Sequence, residues 1–112
     1  KPRAARREGS VGRATAYIRD HFAEPLTLVK VARVAGLAPT YFSTLFSETE
    51  RVGFHGYVQR LRLDRARHML ASTTLSVERV GQLCGFRSRN RFHVAFKRSL
   101  GVTPHDYRSD KN

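Results

Sequence analysis

The sequence predicts an all-α fold built on a duplicated helix-turn-helix, and three observations carry that prediction. The segment LTLVKVARVAGLAPTYFSTLF, starting at Leu26, aligns with LSVERVGQLCGFRSRNRFHVAF, starting at Leu75, with a single extra residue in the second copy. Leu26, Val31, Gly36, Leu37, Phe42 and Phe46 fall on Leu75, Val80, Gly85, Phe86, Phe92 and Phe96, and the register continues from Val52 on Val102 to Tyr57 on Tyr107. Apolar residues recur at helical spacing along the chain, and no segment shows the clean alternation of a strand. Each copy also breaks at a glycine, the residue that most readily takes the left-handed conformation ending a helix.

The helices follow in order. The first runs from about Val11 to His21, with Ala14, Tyr17, Ile18 and Phe22 on one face and Pro25 marking its exit. Thr27 caps the second, with Lys30 where a capping-box Glu would sit, and Gly36 ends it. The third starts near Pro39, suited to a first helical turn, and reaches about Thr49. A long fourth helix extends from about Phe54 to Leu70 or beyond, with Phe54, Tyr57, Val58, Leu61, Ala66, Met69 and Leu70 available to a core. Ser76 opens the fifth and Gly85 closes it; the sixth spans about Ser88 to Leu100, and a short helix from Pro104 to Arg108 closes the domain.

At 100° per residue, the third helix places Phe42, Leu45, Phe46 and Thr49 on a buried arc and Thr40, Ser43, Thr44 and Ser47 opposite. In the sixth, Phe92, Ala95, Phe96 and Ser99 take the buried arc and Asn90, His93, Val94 and Lys97 the outward one, flanked by Arg89, Arg91 and Arg98. Hydrogen-bonding and basic groups of this kind suit a major groove, whose base edges offer donors, acceptors and thymine methyls between two walls of phosphate. An outward valine at 94 needs an apolar partner, and a thymine methyl would serve.

Composition points the same way. The 112 residues amount to one domain and carry a net charge of +12, which draws polyanions: nucleic acid or an anionic membrane surface. Residues 1–10, 11–50, 51–74 and 75–112 hold net charges of +3, 0, +4 and +5, so the first copy is nearly neutral and the second strongly basic. A single cysteine, no apolar run near the about 18 residues of a membrane span and no signal-peptide pattern suggest a soluble protein of a reducing cytoplasm. The stretch KPRAARREGS, residues 1–10, reads as a basic linker or tail, and the chain as a piece of a longer protein.

Other residues carry plainer expectations. The phenylalanines are core. Arg67 belongs to a solvated face, whereas Arg60 and Arg62 are better placed to touch a nucleic-acid backbone. The histidines 21, 55, 68, 93 and 105 share no metal-ligand spacing with one another or with Cys84. Cys84 is expected to be a small buried hydrophobe on the face of Val80 and Leu83.

The stretch LSVERVGQLCGFRSRNRFHVAFKRSLGVTPHDYR, with its paired Gly85 and Phe86, its FxxxF spacing at Phe92 and Phe96 and its closing Gly101, Pro104 and Tyr107, resembles the DNA-binding domain of the AraC/XylS family of bacterial transcription regulators. The resemblance covers about residues 11–108 and leaves 109–112 as a tail. It implies two homeodomain-like three-helix subdomains, with helix-turn-helix motifs at about 28–49 and 76–100, joined by a linker helix at about 54–72. The third and sixth helices would be the recognition helices. Roughly 20 residues of linker helix at 1.5 Å each span about 30 Å, close to one DNA turn of about 34 Å, so one monomer could read successive major grooves.

By the same resemblance the base-reading positions are Thr40, Ser43, Thr44, Asn90, Arg91 and Val94, with His93 added as a polar group facing the groove. Arg91 suits guanine O6 and N7, and Asn90 suits adenine. Ser47, Arg60, Arg62, Arg89, Lys97 and Arg98 are expected on the DNA backbone, together with the helix starts at Thr27 and Ser76, whose amides can face phosphate. The implied partners are double-stranded DNA, RNA polymerase and an N-terminal effector or dimerisation domain outside this chain, in the bacterial cytoplasm on the nucleoid. No catalytic residue, cofactor, metal or membrane contact is expected.

The chain departs from the family pattern in three places. Arg51 stands where a glycine usually ends the third helix, so the turn either holds a left-handed arginine or is shaped differently. Gly81 replaces an alanine inside the fifth helix, an expected cost of about 1 kcal/mol. The outward face of the third helix is small and neutral. Two other classes of function compete: an enzyme with Cys84 as nucleophile, since this architecture also occurs attached to methyl-acceptor cysteines in alkylation-repair regulators, and a basic RNA-binding or scaffold protein.

Overall fold

The computed structural model describes the backbone of residues 2–111 and the side chains of residues 9–110; Lys1 and Asn112, at the ends of the two expected tails, lie outside the described residues. Among the described residues there are seven helices and no strand: α1 (Pro2–His21), α2 (Leu28–Ala35), α3 (Pro39–Glu50), α4 (Phe54–Ser72), α5 (Val77–Leu83), α6 (Arg89–Leu100) and α7 (Pro104–Lys111). They form two compact units that divide between Gln59 and Arg60, within the continuous α4.

In the first unit, α1 to α3 and the start of α4 enclose Val11, Ala14, Ile18, Val31, Ala32, Phe42, Phe46, Phe54 and Tyr57. The Thr27 hydroxyl accepts the Lys30 amide at 3.1 Å and fixes the start of α2. Gly36, at φ 77°, ends it, with the Leu37 amide returning to the Ala32 carbonyl at 3.0 Å. Arg13 on α1 donates to the Ala35 carbonyl at 3.1 Å, so a side chain of one helix satisfies the open end of another.

The second unit repeats the scheme around Leu63, Ala66, Met69, Leu70, Val77, Val80, Cys84, Phe92 and Phe96. Ser76, Ser88 and Thr103 cap α5, α6 and α7, each hydroxyl accepting the amide three residues on at 3.0 to 3.1 Å. Gly85 takes φ 100°, and the Phe86 amide reaches the Gly81 carbonyl at 3.0 Å, the counterpart of the bond after Gly36. Arg108 on α7 donates to the carbonyls of Leu70 and Thr73 at 3.1 and 3.3 Å and holds the last turn of α4.

Several expectations need correction. The backbone is helical from Pro2, so α1 starts nine residues before the expected Val11; Pro2 suits a first turn, and Ser10 and Val11 are buried in the unit. Residues 109–111 likewise belong to α7. Thr49 and Ser99 are exposed and Ala95 is half-buried, because the buried arcs of α3 and α6 are narrow and end at the phenylalanines and Leu45. Leu83 is 41% exposed: the buried set on α5 is Val77, Val80, Gly81 and Cys84, whose centre lies roughly 110° from Leu83 at 100° per residue. On α4, Leu63 is buried and Leu61 only partly so.

The alternatives left open at Arg51 resolve to the left-handed one, φ 63° and ψ 17°. Its equivalent in the second copy is Gly101, at φ 80° and ψ −8°. Both amides make the same return bond, Arg51 to the Ser47 carbonyl at 2.9 Å and Gly101 to the Lys97 carbonyl at 2.8 Å. The turn is thus conserved between copies while only one carries the residue suited to it. Gly81 reverses the sequence expectation, because a Cβ there would lie 2.6 Å from Cδ2 and 2.9 Å from Cγ of Phe92. The first copy has Ala32 at this position; in the second, the ring of Phe92 fills the place of the missing methyl.

Two stability measurements follow. Arg51→Gly should raise the thermal midpoint, by about 1 kcal/mol of stability, since it relieves left-handed strain at a small cost in unfolded-state entropy. Gly81→Ala should lower it despite the better helix propensity of alanine, because overpacking a core costs about 1–3 kcal/mol and the neighbour is the root of a buried ring. A more stable Gly81→Ala domain would mean that α5 and α6 can separate freely.

Candidate nucleic-acid interface

The roll of α3 and of α6 is set by an aromatic lock. In α3, the Phe42 and Phe46 rings lie 5.5 Å apart, and Phe46 meets Tyr57 of α4 edge-on at 5.2 Å. In α6, Phe92 and Phe96 lie 5.7 Å apart, and Phe96 meets Tyr107 of α7 edge-on at 5.6 Å. With the FxxxF pair anchored in the core of each unit, the rest of the helix surface is forced outward.

On α3 this exposes Thr40, Thr44 and Ser47 and leaves Ser43 half-buried. Thr44 Oγ1 donates to the Thr40 carbonyl at 3.3 Å, which turns the hydroxyl back onto its own helix and leaves the methyl as the group offered outward. On α6, Asn90, Arg91, Lys97 and Arg98 are exposed, Val94 is 44% exposed, and His93 is half-buried. The duplication sets Thr44 on Val94, two side chains of nearly the same shape, so both helices present a branched apolar group at the same place. Arg60 is exposed and Arg62 half-buried on α4, and Thr27 and Ser76 are exposed at their helix starts, with their oxygens already occupied by the caps.

Three residues belong beside those expected from the sequence. Tyr41 is 47% exposed at the α3 position matching Arg91 on α6; the alignment held that signal. Arg87 lies close enough to Arg62 that its charge, after burial itself, lowers the Arg62 pKa. Two guanidiniums of like charge so placed make a local positive field that favours an anion. Glu78, in the first turn of α5, pairs with Arg89 through Oε2 and Nη1 at 3.2 Å. A shallow cleft of about 310 Å³ lined by Glu78, Gln82, Arg87, Ser88 and Arg89 opens at this point.

Cys84 is fully buried, its Sγ 3.8 Å from Met69 Sδ, and burial pushes the thiol up to about 11 against a smaller opposing effect of Arg65. A nucleophile requires the reverse, a lowered pKa and access. Among the described residues no three His, Cys, Asp or Glu side chains gather as a metal site, and no helix is long and apolar enough to cross a membrane.

Two glycine-turned helix pairs, each displaying one outward polar helix and the second of them strongly basic, define a paired helix-turn-helix domain. Comparison with known proteins makes this specific. A helix-turn-helix domain family matches residues 31–110. The HTH-type transcriptional regulator YpdC of Escherichia coli K12 is 35% identical over 91 residues, covering 81% of this chain and 32% of YpdC. The C-terminal domain of AraT, a response regulator from Geobacillus stearothermophilus, superposes with a TM-score of 0.87 at 31% identity, covering 90% of this chain and 84% of that one. The DNA-binding domain of the global transcriptional factor AdpA, solved in complex with a target DNA, superposes with a TM-score of 0.86 at 25% identity, covering 89% and 90%. The chain belongs to the AraC/XylS family of helix-turn-helix transcription regulators. It spans about a third of the length of the curated relatives it matches.

The state of Cys84 can be checked directly. A thiol reagent at pH 8 should label the folded domain slowly, at the rate at which the second unit opens, and quickly in denaturant. Stability should fall as pH rises from about 9 towards about 11, since the unfolded thiol ionises first. Rapid labelling of the native protein would restore the nucleophile reading.

Proposed function

We propose that this domain binds double-stranded DNA sequence-specifically, with α3 and α6 as recognition helices in two successive major grooves, and so regulates bacterial transcription without catalysing a reaction. The observation that carries the proposal is the outward surface of α6, where Asn90, Arg91 and Val94 stand exposed between Arg89, Lys97 and Arg98 on a helix whose opposite side is locked into the core. Arg91 reads guanine with two donors, Asn90 reads adenine, and Val94 meets a thymine methyl. Lys97, Arg98, Arg89 and the Arg62–Arg87 pair hold phosphates, with Arg60 adding to the grip. On α3, Thr40 and Ser43 offer short hydrogen bonds, Thr44 its methyl, Tyr41 a phenolic hydroxyl and Ser47 a backbone contact; His93 supports the groove-facing side of α6. The hydroxyls of Thr27 and Ser76 keep their hydrogens for a phosphate oxygen. In the longer protein, an additional domain senses an effector or dimerises, RNA polymerase is the downstream partner, and the site of action is the nucleoid of the cytoplasm.

Binding sequences selected from a random duplex library supply the test. Arg91→Ala should lower affinity for the selected site by about 10- to 100-fold and relax preference at one base pair. Lys97→Ala should weaken selected and random duplexes alike and reduce the salt slope by about 1. Equal losses on both duplexes for Arg91→Ala would remove it from base reading, and a preference of the wild type for RNA over duplex DNA at matched salt would reject the proposal.

A further inference from the structure

We infer that Glu78 is a built-in competitor of DNA phosphate: it neutralises Arg89 in the free domain and gives it up when duplex is bound, setting the strength of the sequence-independent grip. The inference rests on the DNA reading above and adds to it a residue that reading does not contain.

From Arg65 to His105 the chain carries eight lysines and arginines and a single carboxylate, Glu78. A lone acid in so basic a segment would be expected on the far side from any polyanion. Instead, Glu78 Oε2 lies 3.2 Å from Nη1 of Arg89, the first residue of α6, directly before the base-reading positions Asn90 and Arg91. Arg87 lines the same cleft, so the carboxylate stands in a cleft with two guanidiniums on its walls, and Arg87 is itself close to Arg62.

The pair is open to water, with the side chains 73% and 57% exposed, and exposed pairs of this kind contribute little to stability. Its consequence is therefore on binding. Arg89 has a long flexible stem and can exchange one oxyanion for another, but the exchange replaces an existing contact, so a phosphate gains less from Arg89 than from an unpaired arginine. The competition opposes backbone contacts whatever the sequence, while hydrogen bonds to base edges are untouched. The first copy supports the assignment from the other direction. The position equivalent to Glu78 is Val29, exposed beside a matching cleft lined by Arg33, Leu37 and Pro39, in a segment with almost no net charge to restrain. The counter-charge occurs in the copy that has the excess.

A double-mutant cycle on the intact domain tests this, using one selected and one random duplex at low and high salt, with thermal midpoints confirming that every variant folds. Glu78→Gln should tighten binding to both duplexes by a similar factor, about two- to fivefold at low salt and less as salt rises. In an Arg89→Ala background the same change should have little effect. A Glu78→Gln domain with unchanged affinity, or a gain that persists without Arg89, would overturn the inference. So would a loss confined to the selected duplex, which would make Glu78 a base reader. Failure of the wild type to bind either duplex would instead refute the DNA reading, and the inference with it.

Discussion

Everything displayed by this domain depends on the lock between an FxxxF pair and a tyrosine. The second phenylalanine of α3 and of α6 stands edge-on against Tyr57 or Tyr107, and the first is buried in the core beside it. A helix carrying Arg89, Arg91, Lys97 and Arg98 around much of its circumference has few rolls open to it, because burying an unpaired guanidinium is far costlier than exposing a valine. The aromatic anchor chooses among those rolls and holds the choice. Val94 is then exposed as a result of geometry, since its neighbours at positions 92 and 96 claim the interior. An apolar group fixed on an otherwise polar ridge has chemical use only where the partner offers an apolar patch.

The two copies show how far residues can diverge on one backbone. Gly36 and Gly85 make the same turn with the same return bonds, yet the equivalent buried position of the preceding helix is Ala32 in one copy and Gly81, close against Phe92, in the other. Arg51 and Gly101 close the recognition helices in the same left-handed conformation, one under strain and one not. These differences move strain and packing about without moving the displayed face. At that face the divergence is of another kind: Thr40, Tyr41 and Ser47 against Asn90, Arg91 and Lys97. The first set offers short or neutral groups, the second long charged ones.

Local pattern made much of this readable in advance. Helix order, caps at Thr27 and Ser76, both glycine turns and the facing of Phe42, Phe46, Phe92 and Phe96 follow from spacing and from residues whose preferences are intrinsic. What stayed hidden depends on a second element. Glycine at 81 looks like a weak point until Phe92 is seen 2.6 Å from its absent methyl. Leu83 looks buried until α5 is rolled to admit Cys84 and Gly81. Nothing in the spacing of Glu78 and Arg89, eleven positions apart on two helices, announces an ion pair. The helical start at Pro2 was missed because the charged stretch shows no apolar period, although its alanines and arginines are good helix formers.

The hydroxyl of Thr44 changes how the neutral first copy is understood. Counted from sequence, α3 is a row of hydroxyls limited to short hydrogen bonds. With Thr44 Oγ1 turned onto the Thr40 carbonyl, that position is a methyl in the same place as Val94, and the two helices share an apolar contact point while differing in everything around it. A methyl-to-methyl contact gains little unless the surfaces approach closely, and the small side chains of α3 leave more room for such an approach than the long arginines of α6. The helix that lacks charge is thus the one suited to close approach, and the helix that has it is suited to attract a polyanion from further away. Shape and charge are divided between the copies, and the duplicated backbone makes that division possible by presenting both at the same roll.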